Sequence, residues 1–268
     1  MFPHFFMKRL IINADDFGLT PGVTRGILDA HLNGVVTSAS ALMNSPQVTE
    51  SLNEAFRVAP NLGMGVHLVL TWNKPLLKPE KVPSLVDGGG YFYGSPQISE
   101  HADDFNLNDV RNEWQAQIEA FIATGRRPDH LDSHHHSSYI NPKLFTLMLK
   151  LAQKYSLPIR YPSIPEESSL DIEPFIQILG HHSVRFPQSC ITAFYDEGVS
   201  FANLSTIISM IPEGISELMC HPGLSDSDLM KGSSYAAQRE AELRILKSKD
   251  LKECIKENSV SLARFSDL

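Results

Sequence analysis

The chain has 268 residues, of which 42% are hydrophobic and 20% are charged, and its formal net charge is −8. This composition is ordinary for a globular protein with a buried core. Because α/β barrels of about 250 residues form one domain, we expect residues 1–268 to fold as a single domain. A net acidic surface repels phosphate backbones and anionic membranes, which argues against nucleic acid and membrane surfaces as main partners. A small neutral substrate fits better, and a homodimer stays open as the oligomeric state.

The cysteine pattern and the start of the chain indicate the compartment. Cys190, Cys220 and Cys254 are odd in number and widely spaced, which fits neither a disulfide framework nor a metal-binding cysteine pair. The apolar run at the N-terminus is too short for a signal-peptide core, and no uncharged run reaches the ~20 residues of a membrane span. We therefore expect a cytoplasmic protein whose native start is either Met1 or Met7.

Short aliphatic runs alternate with amphipathic segments along the chain. The first run covers residues 9–13 and stops abruptly, as a buried parallel strand does, and Thr20 and Pro21 then start a helix that Gly34 ends. Further runs predict strands at 35–43, 62–70, 130–134, 157–161, 191–195, 215–220 and 260–262. Apolar residues at helical spacing predict helices that start near Ser45, Val110, Asn141, Phe201, Ala236 and Leu251. This alternation predicts an α/β fold, a (β/α) barrel with seven or eight parallel strands.

One stretch breaks the alternation. Residues 72–105 are rich in proline and glycine and show no clear hydrophobic period. A loop of this length inside a compact domain is usually functional. We therefore predict a long loop at 72–105 that flanks the active site.

Polar residues follow several predicted strands at their carboxyl ends. Asp15 and Asp16 follow the first strand, His67 lies near the end of the third, His134 ends the fourth, and His221 follows the seventh. Barrel enzymes assemble their active sites at this end of the strands. Two imidazoles and one carboxylate with an open position form a common catalytic metal set, and a second carboxylate beside them can act as general base. Scattered surface residues would not share this location, so we predict a metal-dependent active site.

The densest group of potential ligands lies in the segment 129–136, which reads DHLDSHHH. If residues 130–134 end a strand, alternation places His130, Asp132 and His134 on one face. Two imidazoles and a carboxylate on one face indicate metal binding. The competing interpretation is an exposed polar loop with a chance histidine run, and it loses weight because other ligand types share the strand-end location.

A set of ordered motifs carries a resemblance to a known family. The motifs are NADDFG at 13–18, GVHL at 65–68, HLDSHHH at 130–136 and CHP at 220–222, with shorter matches at 36–38, 193–195 and 242–243. Together they resemble the YdjC-like carbohydrate deacetylase family, best known for chitooligosaccharide deacetylases, from Lys8 nearly to the C-terminus. The resemblance implies an irregular TIM-like barrel and one divalent metal ion, zinc or magnesium. It also implies hydrolysis of the N-acetyl group of an amino sugar or a short chitooligosaccharide.

The same resemblance assigns roles to individual residues. It implies Asp16, His67 and His134 as the metal ligands, Asp15 as the general base and His221 as a general acid. An acid is needed because an amine leaves readily only when it is protonated. A histidine suits this role because its ordinary pKa of about 6.5 permits protonation near neutral pH.

Several further residues are candidates for substrate contact. Arg160, at the end of the fifth strand, could position the substrate or form a surface salt bridge. His136 could face the substrate or solvent, and Asp132 could contact the substrate or orient a metal-binding histidine. The aromatic residues of the long loop could stack on a sugar ring or pin the loop down; they are Trp72, Tyr91 and Phe92.

Two other functions stay open on the sequence. A metal-dependent phosphoesterase would use the same ions but would need a second metal or an arginine or lysine clamp, and these residues are sparse near the motifs. A non-catalytic metal-binding or sugar-binding barrel is the other alternative. The adjacent Asp15 and Asp16 argue against it, because binding alone needs no additional base.

Overall fold

The computed structural model describes residues 7–163 and 171–268, so Met1, one of the two candidate starts, lies outside the described residues. Strands alternate with helices as predicted. The strands are β1 (Lys8–Phe17), β2 (Ser38–Ala41), β3 (Gly63–Leu68), β4 (Leu131–Ser133), β5 (Ser189–Ile191), β6 (Gly214–Cys220) and β7 (Val260–Ala263). The helices are α1 (Pro21–Leu32), α2 (Val48–Val58), α3 (Ser95–His101), α4 (Leu107–Ile122), α5 (Pro142–Tyr155), α6 (Glu173–Gly180), α7 (Phe201–Ser209), α8 (Ser227–Gly232), α9 (Ala237–Leu246) and α10 (Lys249–Glu257). Within the described ranges, none of these helices is both long and apolar enough to cross a membrane.

β1 is the centre of one sheet that joins all seven strands. The strand order is β4-β3-β2-β1-β6-β5, and β7 pairs with the first half of β1, along Lys8–Ile11. Every one of these pairings is parallel, which confirms the predicted α/β class. Helices follow most strands, and the sheet curls into a half-barrel, the irregular form of a (β/α) barrel. The carboxyl ends of β1, β3, β4 and β6 therefore meet at one end of the molecule.

The predicted strand at 157–161 is not a regular strand. Its segment makes a single bridge, between Ile159 and Leu131 of β4. Leu131 donates a hydrogen bond to the carbonyl of Pro158, and Arg160 donates back to Leu131. Pro158 has no N–H with which to extend a ladder. The prediction of a regular strand was wrong here, but the extended segment lies beside β4 and carries Arg160 into the barrel.

Other element boundaries differ from the prediction by a few residues. β2 covers only the middle of the predicted strand at 35–43, and β5 ends at Ile191, where the predicted strand begins. α2 begins at Val48 and not near Ser45, because the Ser45 hydroxyl donates to the Gly18 carbonyl and does not cap the helix. That bond ties the start of the α2 region to the end of β1.

Two helix starts carry the caps that the sequence predicts. Thr20 accepts a hydrogen bond from the N–H of Val23 at the start of α1, and Asn141 accepts one from Lys143 at the start of α5. A proline follows each cap. These caps fix the residues at which α1 and α5 begin.

The stretch 72–105 is more ordered than a loop. It contains three short 3₁₀ turns and the helix α3. Glu113 of α4 is fully buried and accepts hydrogen bonds from the N–H groups of Leu76 at 2.9 Å and Leu77 at 3.0 Å. Glu113 therefore holds the start of the segment, while irregularly spaced apolar residues such as Val82, Leu85 and Phe92 pack into the core, so the sequence shows no hydrophobic period.

The interior of the barrel is polar beneath the strand ends. Asn13, Ser40, Asp132, Arg160 and Glu217 are all buried there, and the apolar residues of strands and helices form the core around them. Buried charges persist only when they are paired. This interior is therefore the part of the fold in which polar side chains hold one another in place.

Candidate metal centre and active site

The end of β1 presents two adjacent carboxylates to the same site. Alternation along a regular strand would send Asp15 and Asp16 to opposite faces. Asp16 instead has a φ of 68°, and the register with β2 shifts between Ala14 and Phe17, as in a β-bulge. His67 Nε2 consequently lies 3.9 Å from Asp15 Oδ2 and 3.6 Å from Asp16 Oδ1. A left-handed backbone is costly for aspartate, and here it brings both carboxylates to one place.

The three predicted metal ligands converge on one oxygen atom. His134 Nδ1 lies 2.9 Å and His67 Nε2 lies 3.6 Å from Asp16 Oδ1, and one ligand atom from each residue lies within 4.8 Å of the others. Asp16 Oδ1 is buried, and although His134 Nδ1 is within hydrogen-bond distance, the two groups are not aligned as a hydrogen bond. A buried carboxylate oxygen without a well-aligned donor is costly, and a divalent cation is the partner that these donors fit.

A second group of potential ligands, formed by Asp15, His67 and Asp132, already has its atoms occupied. His67 Nδ1 donates to Asp132 Oδ1 at 2.7 Å, while Asp132 Oδ2 accepts from Ser40 at 2.9 Å and lies 3.0 Å from Arg160 Nη2. Asp132 therefore orients His67 so that Nε2 faces the first group. Burial alone would lower the pKa of His67, but the carboxylates of Asp132 and Asp15 raise it to about 9. The pocket thus favours positive charge at this position.

Asp15 is held as a buried carboxylate. Arg160 donates from Nη1 to Asp15 Oδ2 at 2.8 Å and from Nη2 to Oδ1 at 2.6 Å, and Asn13 donates to Oδ1 at 2.8 Å. Burial alone would raise the pKa of Asp15, but the Arg160 guanidinium holds it well below its usual range. Asp15 is therefore ionised at neutral pH.

The three predicted substrate contacts lie in different places. Arg160 is 1% exposed, and its donors go to three buried carboxylates. Asp132 is also fully buried, so these two residues lie behind the site, where they position Asp15 and His67. His136 is half-buried, and burial together with the Arg160 guanidinium lowers its pKa to about 4. His136 is the one of the three that is open to a ligand.

The histidine run forms a strained turn directly after β4. His134 begins a 3₁₀ turn that continues to Tyr139, and His135 and His136 both have a φ of 52°. The His135 ring packs against His134 with the centroids 3.8 Å apart and the planes tilted by 31°, and His135 Nδ1 lies 3.0 Å from Thr71 Oγ1. Backbone strain of this kind persists only where the surroundings hold it. In this turn the strained residues directly follow His134, whose imidazole points back toward Asp16.

His130 shares the predicted face with Asp132 but not the site. It is fully buried, its Nδ1 donates to Asp129 Oδ1 at 2.7 Å, and its ring stacks on Phe265 at 3.8 Å. It also covers Gly65 of β3, where a Cβ atom would lie 2.4 Å from the imidazole. His130 therefore lies on the same face of the segment as Asp132, as alternation predicts. It lies deeper in the barrel than the active site, because it precedes the carboxyl end of the strand.

His221 follows β6 and faces Asp15 across the site. Its Nε2 lies 3.9 Å from Asp15 Oδ2, and its backbone N–H donates to Glu242 Oε2 at 2.5 Å. Its Nδ1 is buried without a hydrogen-bond partner. Burial lowers the pKa of His221 to about 4. The prediction that its ordinary pKa would leave it protonated near neutral pH is wrong, because the ring is withdrawn from water.

Sequence reasoning missed two residues of α9 that hold the site. Arg239 Nη2 lies 2.5 Å from Asp16 Oδ2, the oxygen that the histidines do not share. Glu242, one turn later, accepts hydrogen bonds from the N–H of His221 and from the Tyr235 hydroxyl. α9 therefore connects the ends of β1 and β6. In the sequence, only the short family match at residues 242–243 points to this region, and it assigns no function to Glu242.

The three aromatic residues of the stretch 72–105 have different surroundings. The centroids of the Trp72 and His134 rings are 6.5 Å apart, so the start of the stretch lies beside a proposed metal ligand. Phe92 is 5% exposed and pins the stretch into the core. Tyr91 is exposed, with the Lys74 ammonium 4.6 Å from its ring centroid.

Comparison with known proteins agrees with this geometry. The family described as YdjC-like protein matches residues 9–257. A protein named carbohydrate deacetylase from Enterococcus faecalis (strain V583) is 44% identical, over 97% of this chain and 98% of its own length. A protein of the same name from Thermoanaerobacter pseudethanolicus is 38% identical, over 98% of this chain and 100% of its own length.

Solved structures share the fold. A crystal structure of an Enterococcus faecalis V583 protein, proposed to be a cellobiose-phosphate cleavage protein, matches with a TM-score of 0.90 at 43% identity and covers 97% of this chain and 98% of its own. A family 4 carbohydrate esterase from Streptomyces lividans, in complex with acetate, matches with a TM-score of 0.52 at 12% identity and covers 96% and 92%. At that identity the second match bears on the fold alone.

Proposed function

This chain belongs to the YdjC-like protein family, and from that premise we propose that it is a metal-dependent hydrolase that removes the N-acetyl group from an amino sugar or a short chitooligosaccharide. The observation that carries the proposal is the convergence of two imidazole nitrogens, at 2.9 Å and 3.6 Å, on the buried Asp16 Oδ1, which makes no well-aligned hydrogen bond. The relatives named carbohydrate deacetylase support the deacetylase class.

Asp16, His67 and His134 are the ligands of one divalent ion in this proposal. Two imidazole nitrogens and one carboxylate favour zinc over magnesium, because magnesium prefers oxygen ligands. When bound, the ion supplies a Lewis acid that activates water and polarises the amide carbonyl. Asp132 holds His67 through Nδ1 and Arg239 holds the outer oxygen of Asp16, so both ligands keep their orientation.

Asp15 is the general base. Arg160 contacts both of its oxygens, which keeps the carboxylate ionised and separate from the ligand set. Asp15 Oδ2 nevertheless lies 3.9 Å from both His67 Nε2 and His221 Nε2, between the ligands and the second histidine. It takes a proton from the attacking water as the C–O bond forms.

His221 passes this proton to the leaving amine. A neutral imidazole protonates an amine only after it has taken up a proton, and Asp15 Oδ2 faces its Nε2 at 3.9 Å. The Arg160 guanidinium, which contacts both oxygens of Asp15, lowers the pKa of Asp15 and so favours release of the proton toward His221. Delivery of the proton as the C–N bond breaks leaves acetic acid and an amine, and the remaining proton of the acid passes to the amine, so the products are acetate and an ammonium ion and atoms and charge balance.

The two alternatives have less support. A phosphoesterase would need a positive clamp for the phosphate, and the two arginines beside the site, Arg160 and Arg239, are already paired with Asp15 and Asp16. The Enterococcus faecalis protein proposed to cleave cellobiose phosphate still makes phosphorylated sugars worth assaying. A non-catalytic barrel would have no use for the clamped Asp15 beside the ligand set.

Mass spectrometry of products tests the proposal. The metal-loaded protein is incubated with diacetylchitobiose, N-acetylglucosamine and a phosphorylated N-acetyl sugar, with Asp15→Asn as the control. Loss of an acetyl group, with phosphate retained, is the expected result. Release of phosphate with the acetyl group intact would support the phosphoesterase, and no product from metal-loaded protein would support a binding function.

A further inference from the structure

Two stacked tyrosines lie beside His221, and the chemistry above does not use them. The rings of Tyr195 and Tyr235 stack at 4.4 Å with an interplanar angle of 7°. Their centroids lie 5.4 Å and 5.8 Å from the His221 ring, both edge to face. Tyr235 is 9% exposed, whereas Tyr195 is 46% exposed. Because Tyr235 covers one face of Tyr195, the exposed area belongs to its other face and its rim.

The stacked rings of Tyr195 and Tyr235 form an aromatic platform, and Tyr235, the buried ring, holds it in place. The Tyr235 hydroxyl donates to Glu242 Oε1 at 2.7 Å and accepts from the N–H of Asp196 at 3.0 Å. Asp196 follows Tyr195 directly, so the same hydroxyl also holds the backbone next to the exposed ring. Scattered exposed tyrosines are normal on a protein surface, but this one is locked flat against a buried ring. A rigid aromatic face loses little conformational freedom when a ligand packs on it.

The platform lies beside His221, the histidine that faces the proposed base. His221 Nε2 faces Asp15 at 3.9 Å, and the Tyr195 ring lies on the edge of the same imidazole at 5.4 Å. Tyr195 therefore adjoins the site through His221 and belongs neither to the ligand set nor to the proposed base. The part of a substrate that reaches Tyr195 is not the amide but the sugar beyond it.

We propose that the exposed face of Tyr195 is a subsite for the pyranose ring linked to the N-acetylated unit. This inference rests on the proposed deacetylase function and specifies its substrate: a disaccharide or longer chain in preference to a monosaccharide. A pyranose presents apolar C–H groups on its faces and hydroxyls on its rim, so it packs on an aromatic ring while its hydroxyls stay in water. A monosaccharide has no second ring and gains nothing from Tyr195.

Calorimetry on metal-loaded Asp15→Asn protein measures binding without turnover. In this background, Tyr195→Ala should weaken diacetylchitobiose binding by about tenfold and leave N-acetylglucosamine binding unchanged. Tyr195→Phe keeps the ring and should keep the affinity. Tyr155→Ala is the matched control, because it removes a half-buried tyrosine at the carboxyl end of α5. In the protein with Asp15 intact, Tyr195→Ala should raise KM for the disaccharide and leave monosaccharide turnover unchanged.

Two results would overturn the subsite alone. If the parent binds the disaccharide better and Tyr195→Ala keeps that preference, the second ring lies elsewhere. If both sugars weaken equally, Tyr195 contacts the acetylated ring or supports His221. A different result concerns the proposed function: if neither sugar binds the parent protein, the amino-sugar substrate class fails, and the subsite fails with it.

Discussion

The two sides of the active site differ in what surrounds their unpaired polar atoms, Asp16 Oδ1 on one side and His221 Nδ1 on the other. On the side of β1, β3 and β4, Asp132 holds His67 and Arg239 holds Asp16, so the remaining ligand atoms converge with fixed orientation. On the side of β6, His221 Nδ1 has no partner, and Nε2 lies 3.9 Å from the proposed base. We infer that one side is built to hold an ion in fixed geometry, whereas the other leaves an imidazole free to exchange a proton.

The largest effect is expected from breaking the ion-holding side. His67→Ala or His134→Ala removes one of three ligands. We expect metal binding to weaken by several kcal/mol and activity to be lost together with the metal. Elemental analysis of the purified variants measures the metal. His181→Ala, at an exposed histidine, is the control and should keep full occupancy. Full occupancy in both ligand variants would mean that the ligands are misassigned.

The next effect separates the proton-exchanging side from the ion-holding side. His221→Ala should lower turnover of an N-acetyl sugar by roughly 10²- to 10⁴-fold, because the amine then leaves unprotonated. On an activated acetate ester, whose leaving group needs no proton, the loss should be much smaller, and bound metal should be unchanged. Equal losses on the two substrates would point to positioning or oxyanion stabilisation, and unchanged amide turnover in folded protein would remove His221 from the mechanism.

A smaller effect tests the support that α9 gives to each side. Arg239→Met leaves Asp16 Oδ2 without its partner, and we expect metal affinity to fall by about 10- to 100-fold. Glu242→Gln, on the same helix, changes the support of His221 and should leave metal affinity unchanged. Metal titration of both variants, with circular dichroism to verify folding, measures the difference. Equal affinities in the two variants would show that α9 does not act on the two sides separately.

The sequence predicted the parts of the site that follow from topology. Asp16, His67 and His134 each lie at a strand end, and parallel pairing brings those ends together. The orientation of Asp16 was not predictable, because its φ of 68° arises from the bulge between β1 and β2. The pKa of His221 was not predictable either, because it depends on burial by elements distant in the chain.

The two buried arginines show a second limit of prediction from the sequence. Arg239 and Asp16 are 223 positions apart, and Arg160 and Asp15 are 145 apart. No local pattern marks such pairs, because they form only when the sheet curls and α9 packs over its end. Arg160 was therefore interpreted as a substrate contact, whereas three buried carboxylates surround its guanidinium.

The central claim is that the two adjacent aspartates have different roles, and parallel measurement of metal content and turnover in Asp15→Asn and Asp16→Asn tests it most directly. We predict that Asp15→Asn keeps its metal and loses turnover by on the order of 10²-fold or more, as expected for removal of a general base. Asp16→Asn should lose the metal itself. Equal loss of metal in both variants, or full turnover in metal-loaded Asp15→Asn, would contradict the claim.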